Sequence, residues 1–308
     1  MPDIWTHFLF GQELITELGH GTMLQDDHLR NVFNLGCQGP DFLFYHQFKP
    51  WQNNTTMNKL GSLMHTESCG PFLVEIIELV KQRGLYNPAV IYTLGFILHH
   101  ILDRHMHPYV FYHSGFKKWQ HQRFEVILDT LITQKKRQIE TWKHPVWKHI
   151  YVGKHLPLGV IPALNTAAQT LYGTSQLYWN EAYLDMIQAQ KLCHDPYGWK
   201  RVVLLGLNEP MVYKKHNPPL DFMNESHRTW NCPTNREEVY THSVWDLWDI
   251  AKADGLAVIE EVIVYLTKPQ TDLEPDREKL IQLIGNRSYE TGKPCDSGLQ
   301  IVHVNPMF

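Results

Sequence analysis

The chain has 308 residues, of which 43% are hydrophobic, 12% aromatic and 19% charged. The charged share lies below the roughly 25% of an average soluble protein, which excludes a disordered or coiled-coil chain. A formal charge of -4 gives no basic field to draw in nucleic acid, so nucleic acid is an unlikely partner.

Taken in order, the apolar spacing predicts a helix over 4–18 with Asp3 as its N-cap, and a short one over 27–35 closed by Gly36. A Gly70-Pro71 signal opens a helix over 72–80, and Pro88 suits the first turn of the most regular one, over 88–106. Residues 116–139 read as a long amphipathic helix, 164–192 and 239–267 as two more, and 279–284 as a short one. No run of alternating strands is visible. Segments 40–60 and 199–237 read as loops, packed rather than flexible because aromatics are scattered through both. The expectation is an all-α, multi-helix bundle forming a single domain over 1–308. The five cysteines show no CxxC spacing and read as reduced structural thiols. The N-terminal letters lack a basic segment followed by an apolar one, and the apolar run 89–98 is far short of the roughly 20 residues of a membrane helix. A cytoplasmic protein is expected.

Fourteen of the 19 histidines precede residue 156, and two helices there carry the chemistry. His99, Asp103 and His107 stand four apart, which keeps them within about 80° on one helix face. They climb about 12 Å between the two imidazoles, too far for one ion. Asp103 lies between them and has two oxygens, so the spacing suggests two or more ions with Asp103 as a bridge. His121 and Glu125 stand one turn apart on the next helix, a common way to present two ligands to one metal. Histidine with carboxylates and no cysteine suits zinc at a site left partly open to water. His100 also shares a face with Asp103 and His107, so geometry does not force the choice of His99. His105 and His113 neighbour the pattern but break its register. The remaining histidines singled out, His20, His28, His144, His149, His155, His216, His242 and His303, read as satisfied core residues.

These residues resemble the zinc-dependent phospholipase C family. Gly39-Pro40-Asp41, His99 with Asp103 and His107, and His121 with Glu125 carry the resemblance, which runs from Trp5 to Glu125. The family is related in fold to S1/P1-type nucleases, and the N-terminal domain of glycosylphosphatidylinositol-specific phospholipase D is similar too. The resemblance implies an all-α fold with a zinc cluster in a cleft. It implies that His107, His121 and Glu125 hold one zinc, that Asp41, His65 and His99 hold a second, and that His7 holds a third. Asp103 would bridge the second and third. Residues 131–308 would complete the bundle and shape the cleft. His7 and His65 are placed by order along the chain rather than by a tight motif. In the secreted bacterial members a mature N-terminal tryptophan ligates the third zinc; here Trp5 follows four residues and, unprocessed, has no free amine. Two zinc ions are expected, with a third weaker, absent or held partly by Asp3.

Such a cluster binds and neutralises a phosphodiester and generates a nucleophilic water near neutral pH. Asp41 is the candidate catalytic residue, orienting or deprotonating that water, and Glu125 a plain ligand. The expected function is a phospholipase C-like, zinc-dependent phosphodiester hydrolase. Its substrate would be a phospholipid or a soluble head-group ester, with transient contact to a membrane surface. The alternatives are a nuclease of the S1/P1 kind and a non-catalytic metal-binding helical protein. The basic residues and tryptophans of 134–149 suit an anionic interface, but a solvated helix end followed by a packed loop explains them too, and that reading is preferred. The loop 217–233, with His227 and Trp230, is a candidate overhang of the cleft.

Overall fold

A computed structural model of the chain describes residues 3–308 apart from 50, 53–55, 118, 175–176 and 269–273. The helices among them are α1 (Ile4–Glu17), α2 (Asp27–Gly36), α3 (Thr56–Thr66), α4 (Cys69–Val80), α5 (Pro88–Ser114), α6 (Gln120–Arg137), α7 (Val160–Tyr172), α8 (Trp179–Cys193), α9 (Trp199–Val203), α10 (Val244–Thr267) and α11 (Glu274–Ile284). The described strands are β1 (Trp230–Cys232) and β2 (Asn235–Tyr240), paired as an antiparallel hairpin with an irregularity after Asn231. At 62% helix the fold is an all-α bundle, as its apolar spacing indicates. No described helix is long and apolar enough to cross a membrane.

Several boundaries differ from the sequence expectation, each for a local reason. The predicted helix 164–192 is two helices, because Gly173 adopts φ 63° and ends α7 with its N–H on the Gln169 carbonyl. The predicted helix 239–267 starts only at Val244, where Ser243 and Asp246 form a reciprocal capping box, and the residues just before it pair as β2. α3 was missed inside a segment read as loop, although Met57, Leu60 and Met64 bury one face of it. α5 runs eight residues past the predicted end, straight through Pro108. None of the eight histidines read as core is buried. His28, His144, His155 and His216 are exposed and the other four half-buried, since all lie on short helix ends or connections.

α5 is the axis of the bundle. It is apolar nearly all round, so neighbours must cover every side. α1, α2, α4, α6 and α10 all pack on it, within one hydrophobic cluster that extends from Ile4 to Ile284. Arg104 reaches from α5 to Asp254 of α10 at 2.5 Å and to the Ile284 carbonyl that ends α11 at 2.6 Å. His105 adds a 2.6 Å contact to Asp254. Burial would raise the Asp254 carboxyl, but His105 and Arg104 hold it down at about 2.

α2 and α5 pack backbone against backbone. A Cβ on Gly95 would stand 2.4 Å from the Phe33 carbonyl oxygen and 2.7 Å from the Cys37 nitrogen. Only glycine lets the two backbones come this close, and His99 follows Gly95 by one turn. Gly95→Ala should therefore push α2 from α5 and lower stability by about 1–3 kcal/mol. Thermal unfolding checks this; an unchanged melting temperature would show that the helices are less closely fitted than this.

Candidate metal centre

The eight residues singled out from the sequence come from five elements. α1 supplies His7, the single turn Asp41–Tyr45 supplies Asp41, and α3 supplies His65. α5 supplies His99, Asp103 and His107, and α6 supplies His121 and Glu125. The structure brings them together as three groups whose ligand atoms lie within 4.8 Å of one another: His7, His99 and Asp103; Asp41, His65 and His99; and His107, His121 and Glu125. His99 and His107 thus fall in different groups, as the rise of α5 requires. His99 belongs to two groups.

Close approach of the backbone positions Asp41. Gly39 has φ 49°, and a Cβ there would lie 2.0 Å from the His99 ring. The turn after α2 can therefore lie directly against the α5 face that carries His99, which brings Asp41 Oδ1 to 3.8 Å from His99 Nε2 and 3.0 Å from His65 Nε2.

Four of the five imidazoles are held from behind; the His7 Nδ1 has no hydrogen-bond partner among the described residues. His65 Nδ1 donates to the Gly61 carbonyl at 2.7 Å, His99 Nδ1 to the Cys37 carbonyl at 3.0 Å, and His107 Nδ1 to the Tyr289 carbonyl at 2.8 Å. A carbonyl only accepts, so these contacts place a proton on Nδ1 and turn Nε2 toward the cluster. His121 Nδ1 pairs with the Ser114 hydroxyl at 3.1 Å, and its Nε2 lies 2.6 Å from Glu125 Oε1. Fastening the outer nitrogen in this way is the usual support of a metal-binding histidine.

The inward side is unsatisfied. His99 Nε2 faces Asp103 Oδ2 at 3.1 Å and His7 Nε2 faces Asp103 Oδ1 at 3.3 Å, yet all four atoms are buried and make no hydrogen bond. Burial would raise the Asp103 carboxyl, but His99, His107 and His7 hold it well below the usual carboxylate range. Burial lowers His7, lowers His121 well below its ordinary value, and takes His107 down to about 3. The two oxygens of an ionised, buried carboxylate thus face ring nitrogens without a hydrogen bond, and a divalent cation is a group such a donor set fits. His65 behaves differently. Burial would lower it, but its hydrogen bond to Asp41 and the Asp41 charge raise it.

Other expectations fare unevenly. His100 is turned away, with Nε2 on the Arg287 carbonyl at 2.8 Å, and burial lowers it to about 3. His113 lies among Tyr109, Phe124 and Trp230, outside all three groups. The Trp5 N–H donates to Asp129 Oδ2 at 3.2 Å, and the Tyr213 hydroxyl lies 3.1 Å from Asp3 Oδ2 and 2.6 Å from Asp129 Oδ2. Neither Trp5 nor Asp3 joins a ligand group, and Met1 and Pro2 lie outside the described residues. Trp230 is no overhang: it is buried against Tyr109, with its indole N–H on the His242 carbonyl. Sequence reasoning missed the segment 285–295, which lends the Tyr289 and Arg287 carbonyls to His107 and His100 and bonds the His65 carbonyl through the Tyr289 N–H. A main-chain acceptor has no letter of its own, so no signal marked it.

The profile of the zinc dependent phospholipase C family matches residues 6–184. All eight candidate ligands fall within that stretch, whereas Tyr289 lies beyond it. No curated protein and no solved structure matches the chain.

A histidine must shed its proton to ligate a metal. His65, raised, regains its proton at a higher pH than His107 and His121, which stay neutral well below 6.5. Acidification should therefore release metal in two steps, first from Asp41, His65 and His99, then from His107, His121 and Glu125. Metal content after dialysis at descending pH checks the order, and loss of everything in one step would contradict it.

Proposed function

This chain belongs to the zinc-dependent phospholipase C family, and from that premise we propose that it hydrolyses a phosphodiester of phospholipid type at a cluster of at least two zinc ions. The reading rests on Asp103, a buried, ionised carboxylate whose two oxygens face His7 and His99 without a hydrogen bond. His107, His121 and Glu125 would hold one ion, and Asp41, His65 and His99 a second. The His99 Nε2 lone pair serves one ion only, so a third ion would rest on His7 and on Asp103 as a bridge. When bound, zinc supplies charge neutralisation at the phosphodiester and lowers the pKa of water.

The protein's own groups divide the remaining tasks. The backbone carbonyls of Cys37, Gly61 and Tyr289 hold Nδ1 of three rings, so each of these rings presents Nε2 to the cluster without reorganising. Asp41 has the most exposed carboxylate of the set, at 17%, against 14% for Glu125 and 0% for Asp103. Burial would raise it, but His99 and His65 hold it low. A carboxylate held low is a poor base and a good acceptor, which suits Asp41 to orient the attacking water rather than to take its proton.

Purified protein should carry at least two zinc ions per chain. Asp103→Asn should lower occupancy at more than one position and reduce turnover by more than about a hundredfold. His121→Ala and Glu125→Gln should each remove the same ion, and the double variant should behave like either single one. His28→Ala, on the exposed face of α2, should change neither metal content nor rate. Metal analysis with hydrolysis of a phosphocholine ester, a phosphoinositide and single-stranded DNA tests the reading. One metal or none, or no cleavage of any member of the panel, would overturn it.

A further inference from the structure

Residues 195–217 follow α8, and within them 197–207 hold six large apolar side chains outward, whereas Val212 and Tyr213 are buried. Tyr197 is 88% exposed, Leu205 89% and Trp199 57%, and Val202, Val203 and Leu207 are exposed with them. α9, in the middle of this loop, buries none of its residues. The backbone is nevertheless firmly tied. The buried Asp195 carboxylate accepts from the N–H groups of Lys200 and Arg201, and the Asn208 side chain donates to the Leu192 carbonyl. A loop pinned by hydrogen bonds with six large apolar side chains in water presents them as a contiguous patch, the usual mark of an interaction surface.

The placement of the loop says what it meets. Its first foot leaves α8, which packs on the turn that carries Asp41 and whose Gln190 donates to the Tyr45 hydroxyl. Its second foot is held by Arg123, which donates to the Val212 carbonyl and the Asn217 side chain. The loop therefore runs from α8, which packs on the Asp41–Tyr45 turn, to α6, the helix that carries His121 and Glu125. The charges beside it are basic. Lys148 and Lys191 are exposed and Lys200 half-buried, and none of the three has a carboxylate partner among the described residues. Lys200 sits instead on the carbonyls that end α8, and Lys191 lies 4.4 Å over the Trp147 ring.

We propose that the loop 195–217 is the surface by which this protein docks on an anionic lipid bilayer, its apolar side chains entering the acyl boundary and Lys148, Lys191 and Lys200 meeting the headgroups. Apolar tips flanked by unpaired cations fit a negatively charged lipid surface. A second copy fits worse, because a two-fold contact through this patch gathers the three lysines of both copies into one interface, like charge against like charge. Docking through this loop would bring a lipid-cleaving protein to the surface that holds its substrate, so the proposal rests on the hydrolase reading above.

The test uses the full chain loaded with zinc, and cosedimentation with phosphatidylcholine vesicles with and without phosphatidylserine. The native chain should partition onto the phosphatidylserine vesicles. The double variant Val202→Asp, Leu205→Asp should bind about tenfold more weakly, and Lys148→Ala, Lys191→Ala should lose the preference for phosphatidylserine. Both variants should keep the native rate on a water-soluble, short-chain phosphodiester, which shows that the site is intact. Equal partitioning of native chain and aspartate variant would overturn the proposal. So would a dimer that the aspartates dissolve, without vesicle binding. Vesicle binding lost in the variants, with no phosphodiester cleaved by any form, would support the docking surface and remove the hydrolase reading instead.

Discussion

Imidazole nitrogens aimed at an ionised, buried carboxylate without a hydrogen bond make an arrangement that protein groups alone leave unsatisfied. Asp103 sits fully buried on the central helix with both oxygens turned toward the ring nitrogens of His7 and His99. A buried charge is tolerated only when it is paired, and a buried acceptor only when it is bonded. A cation resolves both demands at once. The rest of the architecture follows from keeping that carboxylate and its rings in register.

Three features of the packing meet this demand. α5 is surrounded by five helices, which fixes the face carrying His99, Asp103 and His107 against rotation. Glycines at 39 and 95 remove the side chains that would hold the Asp41 turn and α2 away from that face. Backbone carbonyls from three separate segments take the outer proton of His65, His99 and His107. Each carbonyl is part of the main chain, so the orientation of the rings is coupled to the fold itself and not to a side chain that can rotate away. The strap 285–295 shows this coupling at long range, since Tyr289 lies 182 residues from the ring it holds.

One surface loop reverses the usual sorting of side chains. Much of the large apolar side-chain content joins one buried cluster, whereas residues 197–207 hold six such side chains in water within eleven residues, on a well-bonded loop. In the basic, tryptophan-rich stretch 134–149 Lys136 is taken up in packing, paired with Glu13 at 2.7 Å and 4.0 Å over Trp248, whereas Lys135, Lys143 and Lys148 are exposed. Its letters suggest an interface, but the exposed apolar side chains stand sixty residues later in the chain, joined to it through Lys191 and Trp147.

Local periodicity determined much of this protein. The helical class, the shared face of His99, Asp103 and His107, and the one-turn pair His121 and Glu125 all follow from 3.6 residues per turn, which is a property of sequence alone. The separation of His99 from His107 into two groups follows from the rise per residue. Tertiary structure decided what period cannot encode. His99 and His100 are equivalent on paper, and only the packing of α2 and of the 285–295 strap turns one toward Asp103 and the other toward the Arg287 carbonyl. The grouping of His7, Asp41 and His65 with α5 depends on contacts between elements distant in the chain, and the acceptors that set each tautomer are main-chain atoms that every residue possesses. Chain spacing reports which residues share a face; only the folded backbone reports which faces meet.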